Sequence, residues 1–253
     1  MTTRRRLPLP DPWDSSDPRI EEALREAVFG SLHETPDSSN YVFFAEISHP
    51  VLGRGLGVYK PERGEQPLND FPPGLYEREI AAYEFSRLLG WGLIPPTVEA
   101  MGPHGTGSLQ LYIQHDPSLH YFHFRESDAY NEQFVRFAAF DILANNADRK
   151  GGHLLLDPRG RVWGIDNGLC FHEEQKLRTV IWDFAGTALP ESMLIDIMRV
   201  RTALAEADPS TAALRSRFED GECEALIARC DEMLDAPVLP EMYPWRCTPW
   251  PLV

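Results

Sequence analysis

The stretch that decides the fold is Asn146–Leu156, which reads NADRKGGHLLL, followed by Gly164–Gly168, which reads GIDNG. It places two acidic residues, Asp148 and Asp166, 18 positions apart, each at the edge of a short apolar run. Phosphoryl transfer needs an oriented hydroxyl and a metal ion held on the nucleotide phosphates, and carboxylates suit both tasks. The spacing of these two residues therefore indicates a phosphotransfer site.

The residues around this stretch predict a hairpin that carries both acidic residues at one end. Apolar spacing predicts a helix ending near Asn145, before the loop with Asp148. Strands are predicted over 153–156 and 162–165, joined by the turn sequence DPRG. From Glu191 onward helical spacing returns, and the last 17 residues form a tail rich in Pro and Trp that we expect to pack on this part of the chain.

The first half of the chain predicts a β-rich region with two helices. Asp17-Pro18 is typical of a helix start, and apolar spacing extends that helix to about Phe29. A second helix is predicted over 76–89, with Gly90 as its stop signal. Strands are predicted over four segments: 41–47, 58–60, 93–100 and 108–114.

The order of these elements predicts an α+β protein with two lobes. Residues 1–16, rich in Arg, Pro and Asp, are expected to be a flexible arm. We predict a small β-rich N-lobe with its leading helix over 17–114 and a mostly helical C-lobe over 115–253.

Composition excludes several classes of function. The 253 residues carry a formal charge of −15, which argues against general binding to nucleic acid or to an anionic membrane. No apolar run reaches the length of a membrane span, and the first ten residues lack the apolar core of a secretory signal. The four cysteines form no CxxC pair, which predicts free thiols and a cytoplasmic protein.

Five residues in this order fit a phosphotransferase. Lys60 follows a Gly-containing hairpin, where its ammonium can reach phosphates, and Glu79 on the next helix can pair with it. Asp148 can orient or deprotonate the acceptor hydroxyl, and Asp166 suits Mg²⁺ or Mn²⁺. His153 lies five positions after Asp148, where protein kinases place a metal-binding Asn.

Each of these residues also has a simpler explanation when taken alone. Lys60 is then a solvated lysine, and Glu79 lies on an exposed helix face. Asp148 and Asp166 are then turn residues, and His153 is a hydrogen-bonded core histidine. The cations at 149 and 150 either neutralise phosphate or offset the surrounding acidic charge, and the sequence favours neither.

The loops with Asp148 and Asp166 resemble the catalytic and metal-binding loops of the phosphatidylinositol 3- and 4-kinase superfamily, the type II 4-kinases in particular. The segments Val58–Pro61, Gly90–Thr97 and 181–186 are similar to an actinobacterial group of phosphatidylinositol-kinase-like proteins of unknown substrate. This second resemblance extends over about residues 35–190.

The resemblance implies a two-lobed, protein-kinase-like fold with ATP between the lobes. By matching motifs, Lys60 contacts the phosphates, Glu79 is its partner, Asp148 is the catalytic-loop acid and Asp166 holds the metal. Ser38, Ser39 and Asn40 stand where a phosphate-covering loop lies, without a full GxGxxG pattern. The connection between the lobes, which contacts adenine, is implied at the following residues: Leu111, Tyr112, Ile113 and Gln114.

The main departure from the family pattern is His153 in place of Asn. Imidazole is a softer ligand than an amide oxygen, and Mg²⁺ prefers oxygen. Three possibilities stay open: the second metal is bound differently, Mn²⁺ is favoured, or His153 forms a hydrogen bond and is no ligand.

The sequence thus predicts an ATP- and metal-dependent phosphotransferase. The acidic charge and the missing basic stripe favour a protein or small soluble acceptor over a phosphoinositide. Two alternatives remain, a nucleotide-binding pseudokinase with a regulatory role and a nucleotidyl transferase.

Overall fold

The computed structural model describes residues 9–35 and 40–253, and these divide into two compact units. The first unit contains the described residues up to Gln66 together with Pro96–Ile113, and the second contains Pro67–Pro95 and Gln114–Val253. The chain is therefore a two-lobed α+β protein, with a small antiparallel sheet in the first unit and mostly helices in the second. None of the helices in the described residues has the length and apolar character needed to cross a membrane.

The first unit is a five-stranded antiparallel sheet with one short helix. The helix α1, Ile20–Arg25, buries Ile20, Ala23 and Leu24. The strands are β1 Val28–Glu34, β2 Phe43–His49, β3 Gly53–Pro61, β4 Thr97–Gly102 and β5 Gly105–Leu111. Their order in the sheet is β1-β2-β3-β5-β4.

The predicted helix to Phe29 is wrong in its second half. Val28 and Phe29 belong to β1, which pairs with β2, with Phe29 opposite Ile47. The flexible arm is also corrected where the structure describes it, because Trp13 is buried and its ring lies against His49. A Cβ at Gly55 would lie 2.5 Å from the Trp13 indole nitrogen, so only glycine fits there. Residues 1–8 of the predicted arm lie outside the described part.

The second unit is built from helices and one small hairpin. Its main helices are α2 Leu75–Leu89, α4 Asn131–Leu143, α5 Glu191–Ala205 and α7 Glu222–Asp235. Two single-turn helices are α3 Tyr121–Phe124 and α6 Ala212–Arg215, and the hairpin consists of β6 Leu154–Leu156 and β7 Val162–Gly164. Gly90 adopts φ 75°, and its N–H bonds the last turn of α2, as the predicted stop requires.

The helix α2 packs in the second unit, whereas the predicted lobe boundary placed it in the first. The Phe85 ring lies 5.6 Å from the Phe140 ring of α4 and 5.8 Å from that of Phe171. Because α2 is buried on nearly every side, including Arg78 and Glu79, it behaves as a core helix of the larger unit. The Pro- and Trp-rich tail packs on this unit as well, since the Cys247 carbonyl accepts from Thr179 N and Trp182 Nε1.

Candidate active site

The loop that carries Asp148 is fixed where α4 ends. Asn145 is buried and adopts φ 50°, a left-handed conformation that Asn tolerates better than most residues. Its Nδ2 donates to the carbonyls of His172 and Glu174 at 2.9 and 2.6 Å, and its Oδ1 accepts from Lys176 N at 2.9 Å. These three hydrogen bonds therefore fix the direction in which the chain leaves the C-terminal end of α4.

Asn146 shapes the next turn. Its Oδ1 accepts from the N–H of Asp148 at 3.0 Å, two residues further on, which is a typical Asx turn. Its Nδ2 donates to Asp141 Oδ1 at 3.2 Å. The Asp148 backbone is therefore anchored to α4 through a buried amide.

Arg149 joins the loop of Asp148 to the loop of Asp166. Its guanidinium bonds both carboxylate oxygens of Asp141 at 3.1 and 3.2 Å through Nε. Nη1 donates to the Ile165 carbonyl at 2.9 Å, and Nη2 donates to Asn167 Oδ1 at 2.7 Å. Arg149 and Asp141 have no exposed side-chain surface, so the guanidinium cannot reach a phosphate in solvent. For Arg149 the structure therefore favours the second of the two possibilities, in which the cation offsets nearby acidic charge, here that of Asp141.

Backbone hydrogen bonds also join the loop of Asp148 to the loop of Asp166. Ala147 N donates to Leu169 O at 2.8 Å, and Phe171 N donates to Ala144 O at 2.6 Å. Together with Arg149, these bonds fasten the segment 144–149 to the segment 165–171. The loops of Asp148 and Asp166, 18 positions apart in the chain, are thus joined to each other.

Asp166 sits in a strained backbone conformation that Glu79 supports. Its φ is 57°, in the left-handed region where non-glycine residues cost about 1 kcal/mol or more. The next peptide N–H, of Asn167, donates to Glu79 Oε2 at 2.9 Å. Glu79 is only 2% exposed, so the simpler alternative, a residue on an exposed helix face, does not apply. Lys60 belongs to the first unit and Glu79 to the second, and the ion pair predicted between them stays a prediction.

The charged ends of the two loops are more accessible than their supports. Lys150 Nζ lies 2.9 Å from Asp148 Oδ2, and His153 Nε2 lies 3.2 Å from Asp166 Oδ2. Burial raises the pKa of Asp148 above its usual range, while Lys150 opposes the shift and the charge of Asp166 adds to it. Asp166 is half exposed, at 51% of its side-chain surface.

The donor set suits a magnesium ion that is shared with a nucleotide. Among residues 9–35 and 40–253 no three His, Cys, Asp or Glu side chains form a metal-binding group by themselves. Mg²⁺ is usually held by one or two carboxylates together with substrate phosphates and water, so a single partly exposed carboxylate such as Asp166 fits this mode.

The predicted nucleotide contacts lie in or next to the first unit. Lys60 is on β3, opposite Ser108 of β5. Asn40 Oδ1 accepts from Gln66 N at 2.8 Å, and Ser38 and Ser39 lie outside the described residues. In the segment assigned to adenine, Tyr112 N donates to Leu56 O at 3.2 Å. There Leu111 and Ile113 are buried, and the division between the units falls before the exposed Gln114.

Several supporting residues carry no motif that would have identified them. Asn146 and Thr179 both donate to the buried carboxylate of Asp141, with Thr179 Oγ1 at 3.0 Å from Asp141 Oδ2. The only sequence signal is an acidic residue on an otherwise apolar helix face, which indicates a buried polar partner. The four cysteines are free, as predicted.

A small antiparallel sheet, a helical second unit and two fastened acidic loops define a kinase-like protein. The structure of hydra Fam20 with sugar covers 86% of this chain and 86% of its own, at a TM-score of 0.51 and 15% identity, which supports the fold alone. The golgi casein kinase matches with a TM-score of 0.48 and 13% identity over 88% of this chain and 78% of its own.

Residues 90–198 match the family model of phosphatidylinositol 3- and 4-kinase. Protein Rv2133c of Mycobacterium tuberculosis is 40% identical over 264 aligned residues, covering 90% of this chain and 93% of that protein. The chain therefore belongs to the family of Protein Rv2133c.

Proposed function

We propose that this chain is a kinase that uses ATP and Mg²⁺ or Mn²⁺ to phosphorylate a protein or a small soluble molecule in the cytoplasm. The observation that carries the proposal is the junction at Arg149, which fastens the loop of Asp148 to the loop of Asp166. A two-lobed kinase-like fold and the family relationship support the same class of reaction.

Asp148 takes the role of the acid that orients or deprotonates the acceptor hydroxyl. Its side chain keeps 26% of its surface exposed, and Lys150 beside it favours the ionised form that a base requires. Lys150 also brings a cation to the place where phosphate charge develops. Positioning and charge neutralisation account for most of the rate gain in this chemistry.

Asp166 takes the role of the residue that holds the divalent cation. When bound, the cation neutralises the charge on the phosphate oxygens of ATP. On the pattern of the family we assign Lys60 to the phosphates, with Glu79 as its partner. The same pattern assigns the segments around Asn40 and 111–114 to the nucleotide.

The acceptor is proposed to be neither a nucleic acid nor a membrane lipid. The chain carries 39 acidic residues against 24 basic ones, and this balance repels polyanionic surfaces. Four free cysteines agree with a reducing compartment.

The test is transfer of the γ-phosphate from labelled ATP by the purified chain, with Mg²⁺ or Mn²⁺ and an extract that supplies acceptors. We expect Asp148→Asn to lower the rate by roughly 10²- to 10⁴-fold. Asp235→Asn, an exposed carboxylate at the end of α7, is the matched control and should leave the rate unchanged. Transfer that survives in both Asp148→Asn and Asp166→Asn would refute the proposal.

One observation favours a second candidate, a nucleotide-binding pseudokinase. His153 replaces the metal-binding Asn of the family pattern, and that change is compatible with binding without turnover. This candidate expects ATP to raise the melting temperature while no labelled product forms. The mass of any modified acceptor separates an added phosphate from an added AMP, which would instead indicate nucleotidyl transfer.

A further inference from the structure

The imidazole of His153 is engaged at both of its nitrogens. Nε2 lies 3.2 Å from Oδ2 of Asp166, and Nδ1 accepts from the backbone N–H of Lys150 over a long 3.4 Å. The side chain is 14% exposed, so most of the ring is enclosed by the protein. Its environment therefore decides which nitrogen carries the proton.

The hydrogen-bond partners select one tautomer. A neutral imidazole has one N–H and one lone pair. A backbone amide can only donate, so the lone pair must lie on Nδ1, facing Lys150. The proton then lies on Nε2 and is donated to the carboxylate of Asp166. In this tautomer neither nitrogen presents a lone pair to a cation.

The backbone fixes this arrangement. His153 N donates to Lys150 O at 3.1 Å, which closes the short turn Gly151–His153. His153 O accepts from Ile165 N at 2.9 Å, so the chain just before Asp166 is tied to the residue whose ring meets its carboxylate. The backbone bond from Ile165 to His153 and the contact between the His153 ring and the Asp166 carboxylate join the same two segments. Together they restrict the rotamer of Asp166.

We propose that His153 is a positioning residue that orients Asp166 through an Nε2–H···Oδ2 hydrogen bond and supplies no metal ligand. This inference rests on the proposed function, because it takes Asp166 as the residue that holds the cation. An N–H donor thus replaces the oxygen ligand of the family pattern. The cation is then held through oxygen atoms, with no nitrogen ligand from His153.

Ring-nitrogen NMR on the full chain labelled with ¹⁵N-histidine tests the tautomer without any metal. His153→Gln identifies the signals, and a pH of about 8 keeps an ordinary histidine neutral. We expect a proton on Nε2 and none on Nδ1. A proton on Nδ1 would overturn the proposal.

Pulsed electron paramagnetic resonance tests the ligand set with Mn²⁺ and a non-hydrolysable ATP analogue. We expect no directly bonded histidine nitrogen on the Mn²⁺. A nitrogen coupling that shifts with ¹⁵N-histidine and vanishes in His153→Gln would contradict the positioning role. If Mn²⁺ does not bind, the ring-nitrogen result still decides the proposal, while the metal role of Asp166 fails separately.

Rescue by a side chain of similar reach tests whether metal binding depends on a group at position 153, while the electron paramagnetic resonance result decides whether that group is a ligand. We expect His153→Ala to weaken Mn²⁺ binding by about 10- to 100-fold, as loss of a residue that orients a ligand does. His153→Gln restores an N–H donor and should recover most of that loss. Equal loss in both variants would count against the proposal. His33→Gln removes a similar histidine–carboxylate contact, to Glu46, and should leave Mn²⁺ binding unchanged.

Discussion

The second unit contains two layers of polar residues that differ sharply in burial. The supporting layer is almost inaccessible and consists of Asp141, Asn146, Arg149, Asn167 and Thr179. The layer above it keeps between 14% and 51% of its side-chain surface exposed and consists of Asp148, Lys150, His153 and Asp166. Consecutive residues of one short loop fall into different layers, with Arg149 below and Lys150 above.

This difference separates stability from chemistry within one motif. The supporting layer exchanges hydrogen bonds internally, so each of its groups has a partner that would be left buried and unsatisfied if it were removed. The upper layer has access to solvent, so removing one of its groups leaves no buried polar group without a hydrogen-bond partner. Substitutions in the supporting layer are therefore expected to lower stability, and substitutions in the upper layer are expected to lower activity.

The largest effect is expected for Asp166→Asn in the upper layer. Phosphate transfer should fall by roughly 10³-fold or more, because the charge that holds the cation is lost. Asn tolerates the left-handed backbone well, so the free energy of unfolding should change by only about 0.5 kcal/mol. Transfer assays and urea unfolding measure the two quantities. Asp231→Asn, a carboxylate of similar exposure paired with Arg201, is the control with normal activity.

Arg149→Met should give the largest loss of stability. It leaves the Asp141 carboxylate buried without its guanidinium, and breaking such a pair costs about 3–5 kcal/mol. Arg201→Met breaks a more exposed pair with Asp231 and should cost less than about 1 kcal/mol. Urea unfolding compares the two variants, and equal midpoints would show that the buried layer is not where stability resides.

Glu79→Gln should lower both the stability and the activity, each to a smaller extent than the two substitutions above. The neutral amide accepts more weakly from Asn167 N, so we expect a loss of about 1 kcal/mol in stability and about 10-fold in activity. Glu84→Gln is the matched control, since Glu84 is equally buried on α2 but pairs with Arg87. Equal activity losses in both variants would remove the special role of Glu79.

The smallest effect is expected for Lys150→Met, as a shift in the pH dependence of the phosphate-transfer rate. Lys150 lowers the pKa of Asp148, which burial has raised, so removing the cation should raise that pKa further. Because the base must be ionised, the acidic limb of the rate profile should move to higher pH. Lys176→Met, a lysine beside Asp70 and Glu174, should leave the limb in place. A shift to lower pH would contradict the role of Asp148.

Elements with local signals were predictable from the sequence. The helix α2 with its stop at Gly90 and the hairpin of β6 and β7 depend on residues close in the chain. The first two residues of β1, Val28 and Phe29, were misread as helix because Val28 matches the helical spacing of the preceding residues, and only pairing with β2 decides their conformation. Likewise, the sequence of α2 does not indicate in which of the two units the helix packs.

The residue types and spacing around Asp148 and Asp166 by themselves indicated the class of chemistry that we propose, because phosphoryl transfer uses carboxylates to orient a hydroxyl and to hold a metal ion. Only the tertiary structure decided which neighbours support them. The bond between Glu79 and Asn167 spans 88 positions, and the burial of Arg149 depends on Asp141 and Thr179 around it. Partners so distant in the chain meet only after the helices pack, so a local pattern cannot reveal them.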